Sequence, residues 1–319
     1  MSWEPTASLD TLRLRARILS KIRAFFSDRD LLEVETPSLS QYGVTDAHIQ
    51  AFSTQFDNRD RTNYYLQTSP EYAMKRLLAA GSGSIFQISK AFRNGECGHQ
   101  HNPEFTMLEW YRIDFTHHQL MQEVSDIIEL TLGMPPAKHL SYKDAFLKHA
   151  GINPHSASTQ DLLDILPHHN ITLSFDGNNI DKDTALHLVM SHLIEPQLGA
   201  DTPEFIYDFP ASQAALAQIR QDTPPVAERF ELYIDGIELA NGFHELTDPV
   251  EQQQRFERDQ HYRQSQGYSS MDIDHRFIQA LQHGLPKCSG VALGVDRLMM
   301  LACEKKHIHE VISFPWERA

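Results

Sequence analysis

Cysteine is scarce: Cys97, Cys288 and Cys303 are the only three in 319 residues. They are odd in number and scattered, and no Cys-x-x-Cys occurs, which argues against a disulfide framework and a thiolate zinc site. No apolar run approaches the ~20 residues of a membrane span. The polar start, Met1-Ser-Trp-Glu-Pro, has neither the basic residues nor the apolar segment of a secretion signal. No membrane partner is expected, and a reducing cytoplasm is the expected setting. Positive charge is also in short supply: 28 lysines and arginines face 43 aspartates and glutamates, a formal net charge of −15. Generic polyanion binding rests on a basic patch, so the balance argues against an extended nucleic-acid surface while allowing a small local one. No internal repeat or low-complexity segment is visible. Hydrophobic residues make up 41%, enough for a substantial core in one large domain or a domain with an insertion.

Periodicity gives the elements. Residues 9–30 predict an amphipathic helix with Leu12, Ala16, Leu19, Ile22 and Phe26 on one face and Ser8 as N-cap. Leu31 to Pro37 reads as a strand ended by proline. Tyr64 to Thr68 is a short strand, and Pro70 opens a helix that Gly81 ends. Three helix signals fill residues 140–200, with capping pairs Ser141/Asp144 and Ser158/Asp161. They carry no cluster of chemistry and read as a helical insertion in a sheet domain. Residues 203–210 return to strand.

Three segments carry chemistry. Residues 92–112 place Arg93 at the end of an apolar strand, then a polar loop with Asn94, Gly95, Glu96, His101 and Asn102, then a second strand through Glu109 and Tyr111. Such a hairpin would hold a nucleotide over a charged floor. His99-x-His101 lacks a nearby third metal ligand and reads as a loop pair, with His101 suited to phosphate. Residues 229–245 form a second hairpin around Asp235-Gly236. Its turn pairs Ile234 with Ile237, Tyr233 with Glu238 and Glu231 with Ala240, so Glu231 and Glu238 share a face. Two solvent-facing glutamates are the plainer reading of that pair; a magnesium site shared with nucleotide phosphates is the other. Asn241, Phe243 and Glu245 follow at spacing two and suit a pocket for a cationic side chain. The third segment, residues 288–301, is a strand turning at Gly294 into a helix. Gly294 lets a flat ring approach the backbone, and Arg297 in the first turn can fork onto phosphate.

Three stretches of the chain resemble, in order, motifs 1, 2 and 3 of the class II aminoacyl-tRNA synthetases. Helix 9–30 with Glu35-Thr36-Pro37 is similar to motif 1, the 92–112 hairpin to motif 2 in its lysyl version (His-Asn-Pro-Glu-Phe-Thr), and Gly294-Val-Asp-Arg297 to motif 3. Within the family the likeness is closest to truncated lysyl-tRNA synthetase paralogues that act on elongation factor P with (R)-β-lysine. Motif 1 begins within ten residues of Met1, leaving no expected room for an N-terminal anticodon-reading domain. Ala292 stands where the synthetases usually keep glycine, and the stretches 209–213 and 236–246 look like the paralogue versions. The family's Arg-x-Glu of motif 2 becomes Arg93-Asn94-Gly95 here, so either the loop shifts for Glu96 to serve or a backbone group takes the adenine contact.

The resemblance implies an α+β catalytic domain over residues 1–319, an antiparallel sheet flanked by helices with the insertion at about 140–200. It implies ATP and Mg2+, a homodimer, elongation factor P as acceptor and no tRNA. It implies adenylate formation followed by transfer to a lysine amine, with no nucleophilic side chain and no base the sequence names. Arg93 would bridge the substrate carboxylate and α-phosphate, and Arg297 would hold the γ-phosphate. Asn94, Gly95, Glu96, His101, Asn102, Glu238, Leu239 and Gly294 would complete the ATP contacts, and Glu231 and Glu238 would ligate magnesium. Ser69, Pro70, Glu71, Glu109, Tyr111, Asn241, Glu245 and Ala292 would form the diamine pocket. A lysyl-tRNA synthetase without its anticodon domain, another amide-forming ligase of this fold and a non-enzymatic regulator are the rivals. The retained Arg93, Arg297, Glu231 and Glu238 speak against the last.

Overall fold

The computed structural model describes residues 3–46, 48–57, 62–171 and 180–319. After α1 (Leu9–Ser27) come four short strands, β1 (Leu32–Glu33), β2 (Leu39–Ser40), β3 (Ser53–Gln55) and β4 (Asn63–Leu66). Then follow α2 (Glu71–Ala79) and the long pair β5 (Ile85–Phe92) and β6 (Glu104–Ile113). Next are α3 (His117–Leu132), β7 (Lys138–Ser141), α4 (Tyr142–Ala150), α5 (Thr159–His168) and α6 (Lys182–Val189). β8 (Glu204–Pro210), β9 (Ile219–Arg220), β10 (Val226–Ile234) and β11 (Ile237–His244) precede α7 (Pro249–Ser265) and α8 (His275–Gly284). β12 (Cys288–Gly294) and α9 (Val295–Ala302) close the order of helices and strands. The architecture is α+β, as expected, and no helix among the described residues is long and apolar enough to cross a membrane.

Two compact units emerge, one of Met1–Asp114, Thr247–Cys288 and Ala292–Ala319, the other of Phe115–Leu246 and Ser289–Val291. In the first, the strand order is β1-β5-β6-β12, with β5 and β6 antiparallel and β1 parallel to β5. Side chains alternate across β6. Leu108 and Trp110 turn toward α1, where Phe26 stacks on Phe86 at 4.6 Å and meets Trp110 at 5.3 Å. Glu109 and Tyr111 take the other face. Ser8 caps α1 through Thr11 N at 3.1 Å, as the sequence predicts. The inward face is rotated from the predicted stripe: Thr11, Ile18, Ile22, Phe25 and Phe26 are buried, while Ala16 is exposed. The cause is Arg15, which turns inward to pair with Asp296 and draws the helix around with it. The strand expected over 31–37 is only two residues long, although Val34 N still reaches Phe86 O at 2.9 Å.

In the second unit the order is β12-β11-β10-β8-β7, with β9 on β10. β10 is antiparallel to β8 and β11, and β7 is parallel to β8, so the sheet is mixed at this edge. The helical stretch expected near 140–200 falls here, except that residues 172–179 lie outside the described residues. Ser141 and Ser158 cap α4 and α5. Tyr142, Phe146, Leu162, Leu186 and Ile194 share one apolar core with Ile206 and Phe209 of β8 and Tyr233 of β10. The stretch is therefore welded to the strands through a shared core.

The hairpin turn is as predicted: Asp235 and Gly236 lie at φ 50° and 70°, and Ile234 pairs with Ile237 and Tyr233 with Glu238. Beyond that the register shifts. Leu232 pairs with Ala240 and Glu231 with Asn241, so the predicted Glu231–Ala240 pair does not form. Leu239 is the extra residue of a bulge. Regular alternation would turn Asn241 away from Glu238. The bulge returns Asn241 and Phe243 to the face of Glu231 and Glu238.

Gly242 of β11 pairs with Phe230 of β10, whose side chain lies over it. A Cβ there would lie 2.3 Å from Phe230 Cζ and 2.9 Å from Val291 Cβ. Phe230 is fully buried and cannot swing aside. Gly242→Ala should cost about 1–3 kcal/mol and lower the melting temperature by several degrees; an unchanged melting curve would refute this close approach.

Candidate active site

Ser69 and Glu71 stand at the start of α2, where buried Pro70 is the N-cap. Ser69 Oγ donates to Glu109 Oε2 at 3.0 Å and accepts from Glu71 N at 3.0 Å. Tyr111 OH donates to Glu109 Oε1 at 2.7 Å. One turn along α2, Lys75 Nζ meets Glu71 Oε1 at 2.6 Å, with Lys75 1% exposed. Five of the residues expected around a diamine, Ser69, Pro70, Glu71, Glu109 and Tyr111, are thus brought together in the first unit. Glu109 is 2% exposed. Burial first, and the Glu71 carboxylate second, push its carboxyl up to about 8, with the Tyr111 and Ser69 hydrogen bonds and Lys75 pulling back.

The predicted nucleotide loop follows β5 in the same unit. Arg93 N donates to Pro103 O at 2.9 Å, which closes the loop at its base, and Arg93 Cζ lies 5.2 Å from the Phe105 ring. Gly95 adopts φ 85°, a conformation that favours glycine. That turn brings Glu96 Oε1 within 3.8 Å of Arg93 Nη1. The acid displaced by one place in the sequence therefore still faces the arginine. His101 Nε2 lies 2.7 Å from Arg297 Nη2, and Arg297 Nε donates to Gln100 O at 3.4 Å. Asn102 stands apart. Its amide donates to Glu104 O at 2.6 Å and accepts from Trp316 N at 3.2 Å, so it braces the loop against the C-terminal tail. Asn94, Gly95 and Asn102 line a cavity of about 960 Å³ with Phe92, Cys97 and Trp316; Arg93, His101 and Arg297 are not among its lining residues.

Gly294 N-caps α9 at φ −74°, and a Cβ there would meet only the Arg297 side chain, at 3.7 Å or more. That side of the backbone is open, as the flat-ring reading requires. Ala292 and Gly294 are half-buried, while Leu293 between them is buried. Asp296, in the first turn of α9, is 2% exposed. Its Oδ2 accepts from Thr106 N at 2.6 Å and its Oδ1 lies 2.6 Å from Arg15 Nη1.

The second unit carries the other acids. Glu231 accepts from Tyr233 OH at 2.5 Å, from Asn241 Nδ2 at 3.3 Å, and from Arg229 Nη2 in a short contact. Burial pushes the Glu231 carboxyl up, with Arg229 pulling it back. Burial also works against the Arg229 charge, but Glu231 and Glu238 more than offset it and hold the guanidinium above its ordinary value. Glu238 is half-buried on the same face, and Leu239, the bulge residue, is 2% exposed. Asn241 Oδ1 is buried with no hydrogen-bond partner among the described residues. Glu231, Glu238 and Asn241 thus offer hard oxygen donors on one face, a set suited to Mg2+. Glu245 lies just past β11, 1% exposed, and bridges Ala217 through its backbone.

Lys75, Asp296, Arg229 and Tyr233 join these networks without having been among the predicted site residues. Lys75 had a signal, the spacing of four from Glu71 on a helix. Arg229 and Tyr233 flank Glu231 at spacing two and so share its strand face. Asp296 lies inside the Gly-x-Asp-Arg motif, but its partners Arg15 and Thr106 are remote in sequence.

With these arrangements in view, the comparisons with known proteins are direct. Residues 2–318 match the family described as class II tRNA synthetases (D, K and N), and the chain belongs to that family. It is 53% identical over 316 residues to the elongation factor P–(R)-β-lysine ligase of Histophilus somni (strain 2336), covering 98% of this chain and 97% of that protein. The proteins of the same name from Haemophilus influenzae (strain PittGG) and Salmonella typhi are each 51% identical, over 99% and 100% of this chain and 98% of each relative.

The Glu109 proton has a thermodynamic consequence. An unfolded glutamate titrates near ~4.3, so the folded chain binds the extra proton between that value and about 8. The Glu109 contribution to stability is present in full below the unfolded value and is lost as pH rises through the folded one. Urea unfolding from about pH 5 to about pH 8 should show stability falling in the wild type by up to ~1.4 kcal/mol per pH unit more than in Glu109→Gln. Equal slopes would mean that Glu109 titrates as an ordinary carboxylate.

Proposed function

We propose that this chain activates (R)-β-lysine with ATP as an aminoacyl-adenylate and transfers it to a lysine side chain of elongation factor P. What carries the reading is identity above one half to ligases of that name over nearly the whole chain. The substrate carboxylate attacks the α-phosphorus of ATP, forming a mixed anhydride and releasing pyrophosphate. The neutral ε-amine of the acceptor lysine then attacks the acyl carbon. The C–N bond forms, AMP leaves with the electrons of the C–O bond, and the amine proton passes to solvent. Such chemistry asks the protein for positioning and charge neutralisation.

Arg93 bridges the carboxylate and α-phosphate, with Glu96 as its neighbour. Arg297, paired with His101, takes the outer phosphates, and Gly294 and Leu239 frame the nucleotide through their backbone. Glu231 and Glu238, with Asn241, would hold Mg2+, which when bound neutralises phosphate charge. Glu109, Glu71, Ser69, Tyr111 and Glu245 receive the two ammonium groups. The buried Glu109 carboxyl supports this assignment: a carboxyl that holds its proton to about pH 8 is one that an arriving cation can ionise, so the pocket need not bury an unpaired charge while empty. The same reading includes a homodimer and no tRNA partner.

Substrate-dependent ATP–pyrophosphate exchange tests the first half-reaction, and label transfer from (R)-β-lysine to an elongation factor P band tests the second. Exchange should be greater with (R)-β-lysine than with α-lysine. Arg93→Ala and Arg297→Ala should each lower it by roughly 10²–10³ with circular dichroism unchanged. No exchange with any amino acid, or label on tRNA in place of protein, would overturn the reading. Ala292→Gly should shift preference toward α-lysine; an unchanged ratio would remove Ala292 from the pocket.

A further inference from the structure

The proposed chemistry uses one face of β10 and β11. On the opposite face, the pair that continues the β10–β11 register beyond Arg229–Phe243 is Glu228 and His244. His244 Nδ1 lies 2.5 Å from Glu228 Oε2. His117, the first residue of α3 behind its Thr116 cap, comes to the same place. One donor atom from each of His117, Glu228 and His244 lies within 4.8 Å of the other two.

His117 is what makes this more than an ion pair. It is 3% exposed, yet neither Nδ1 nor Nε2 has a hydrogen-bond partner among the described residues. Buried imidazoles are hydrogen-bonded or ligate a metal. Its nearest anionic atom outside the trio is Asp208 Oδ1, 3.9 Å from Nε2, and Asp208 is already gripped by Arg220 at 2.6 Å and 3.2 Å. His244 and Glu228 are half-buried, which leaves an ion a way in. Arg220 Nη1 stands 3.5 Å from Glu228 Oε1, and its charge is matched by Asp208 and Asp222.

We propose that His117, Glu228 and His244 bind one imidazole-preferring divalent transition-metal ion of the Zn2+ class, pinning the first turn of α3 to the β10–β11 pair. Two imidazoles and one carboxylate are a zinc ligand set, with a fourth position left for water or for Asp208. Mg2+ prefers oxygen donors, so this site and the Glu231–Glu238 face sort their ions by ligand chemistry. The ion takes the place of the His244–Glu228 hydrogen bond and satisfies the orphaned His117 nitrogen.

The test uses the full chain loaded with Zn2+ in the presence of Mg2+, then dialysed against metal-free buffer. Elemental analysis should find one zinc per chain in the wild type, and less than about a tenth of that in His117→Leu and in His244→Gln. Zn2+ should raise the wild-type melting temperature by about 3 °C or more and leave that of His117→Leu unmoved. Co2+ in place of Zn2+ should give the intense visible bands of a four- or five-coordinate site. A wild type that retains no zinc overturns the proposal without any variant having to fold. Variants that retain as much zinc as the wild type overturn it too, since the metal would then sit on others of the 18 histidines.

Discussion

Asp296 is the constraint on which the first unit is built. Its carboxylate is 2% exposed, and a buried unpaired carboxylate costs several kcal/mol. It is tolerable because Arg15 of α1 and the Thr106 amide of β6 both point at it. Arg15 Nη2 also donates to Thr106 Oγ1 at 2.8 Å, closing a three-element knot. The knot fixes the roll of α1, which is why its buried stripe departs from the one periodicity suggests. It also sets the first turn of α9, and Arg297, the next residue in that turn, inherits its direction. Aspartate and arginine are thus adjacent in the motif for different reasons, one to be buried and the other to be presented.

The second unit solves the same problem differently. Glu231 is buried beside its own cation, Arg229, two residues away on the same strand face. A tyrosine hydroxyl and an amide complete its shell. The bulge at Leu239 decides which side chains join that face. One inserted residue brings Asn241 and Phe243 round to Glu231, where strict alternation would turn them toward the side of Glu228 and His244. A bulge next to a site commonly re-aims side chains in this way. Here it determines which side chains share the face of Glu231 and Glu238 and which take the opposite one.

Local signals were legible where they are covalently local. The caps Ser8, Ser141 and Ser158, the Asp235-Gly236 turn, the β5–loop–β6 hairpin and the turn at Gly294 all follow from residues within a few positions of each other. Reading failed where the determinant is distant. The rotation of α1 depends on Asp296, far along the chain. The register of β11 depends on Phe230 and Val291 leaving no room for a side chain at position 242. His117 gave no signal in sequence because its partners lie on two strands more than one hundred residues away. The departure at Gly95 left two readings open in the sequence, a shifted loop or a backbone contact. The backbone shows a left-handed turn that carries the acid one residue further and still points it at Arg93.

Three of the buried carboxylates are treated in three ways: Asp296 is paired by a distant arginine, Glu231 by a neighbouring one, and Glu109 by none of its own. Lys75, the closest candidate, is held by Glu71 at 2.6 Å. Glu109 therefore keeps its proton, and its two oxygens accept from the hydroxyls of Ser69 and Tyr111. Structural carboxylates come with their counter-charge built in, because the fold must exist without ligand. A carboxylate left to neutralise itself by protonation is poised to receive a cation from outside. On that physical ground Glu109, one of several acids expected in the pocket, becomes a strong candidate to bind an ammonium group, and Glu71, already committed to Lys75, becomes the residue that raises its affinity for the proton it gives up.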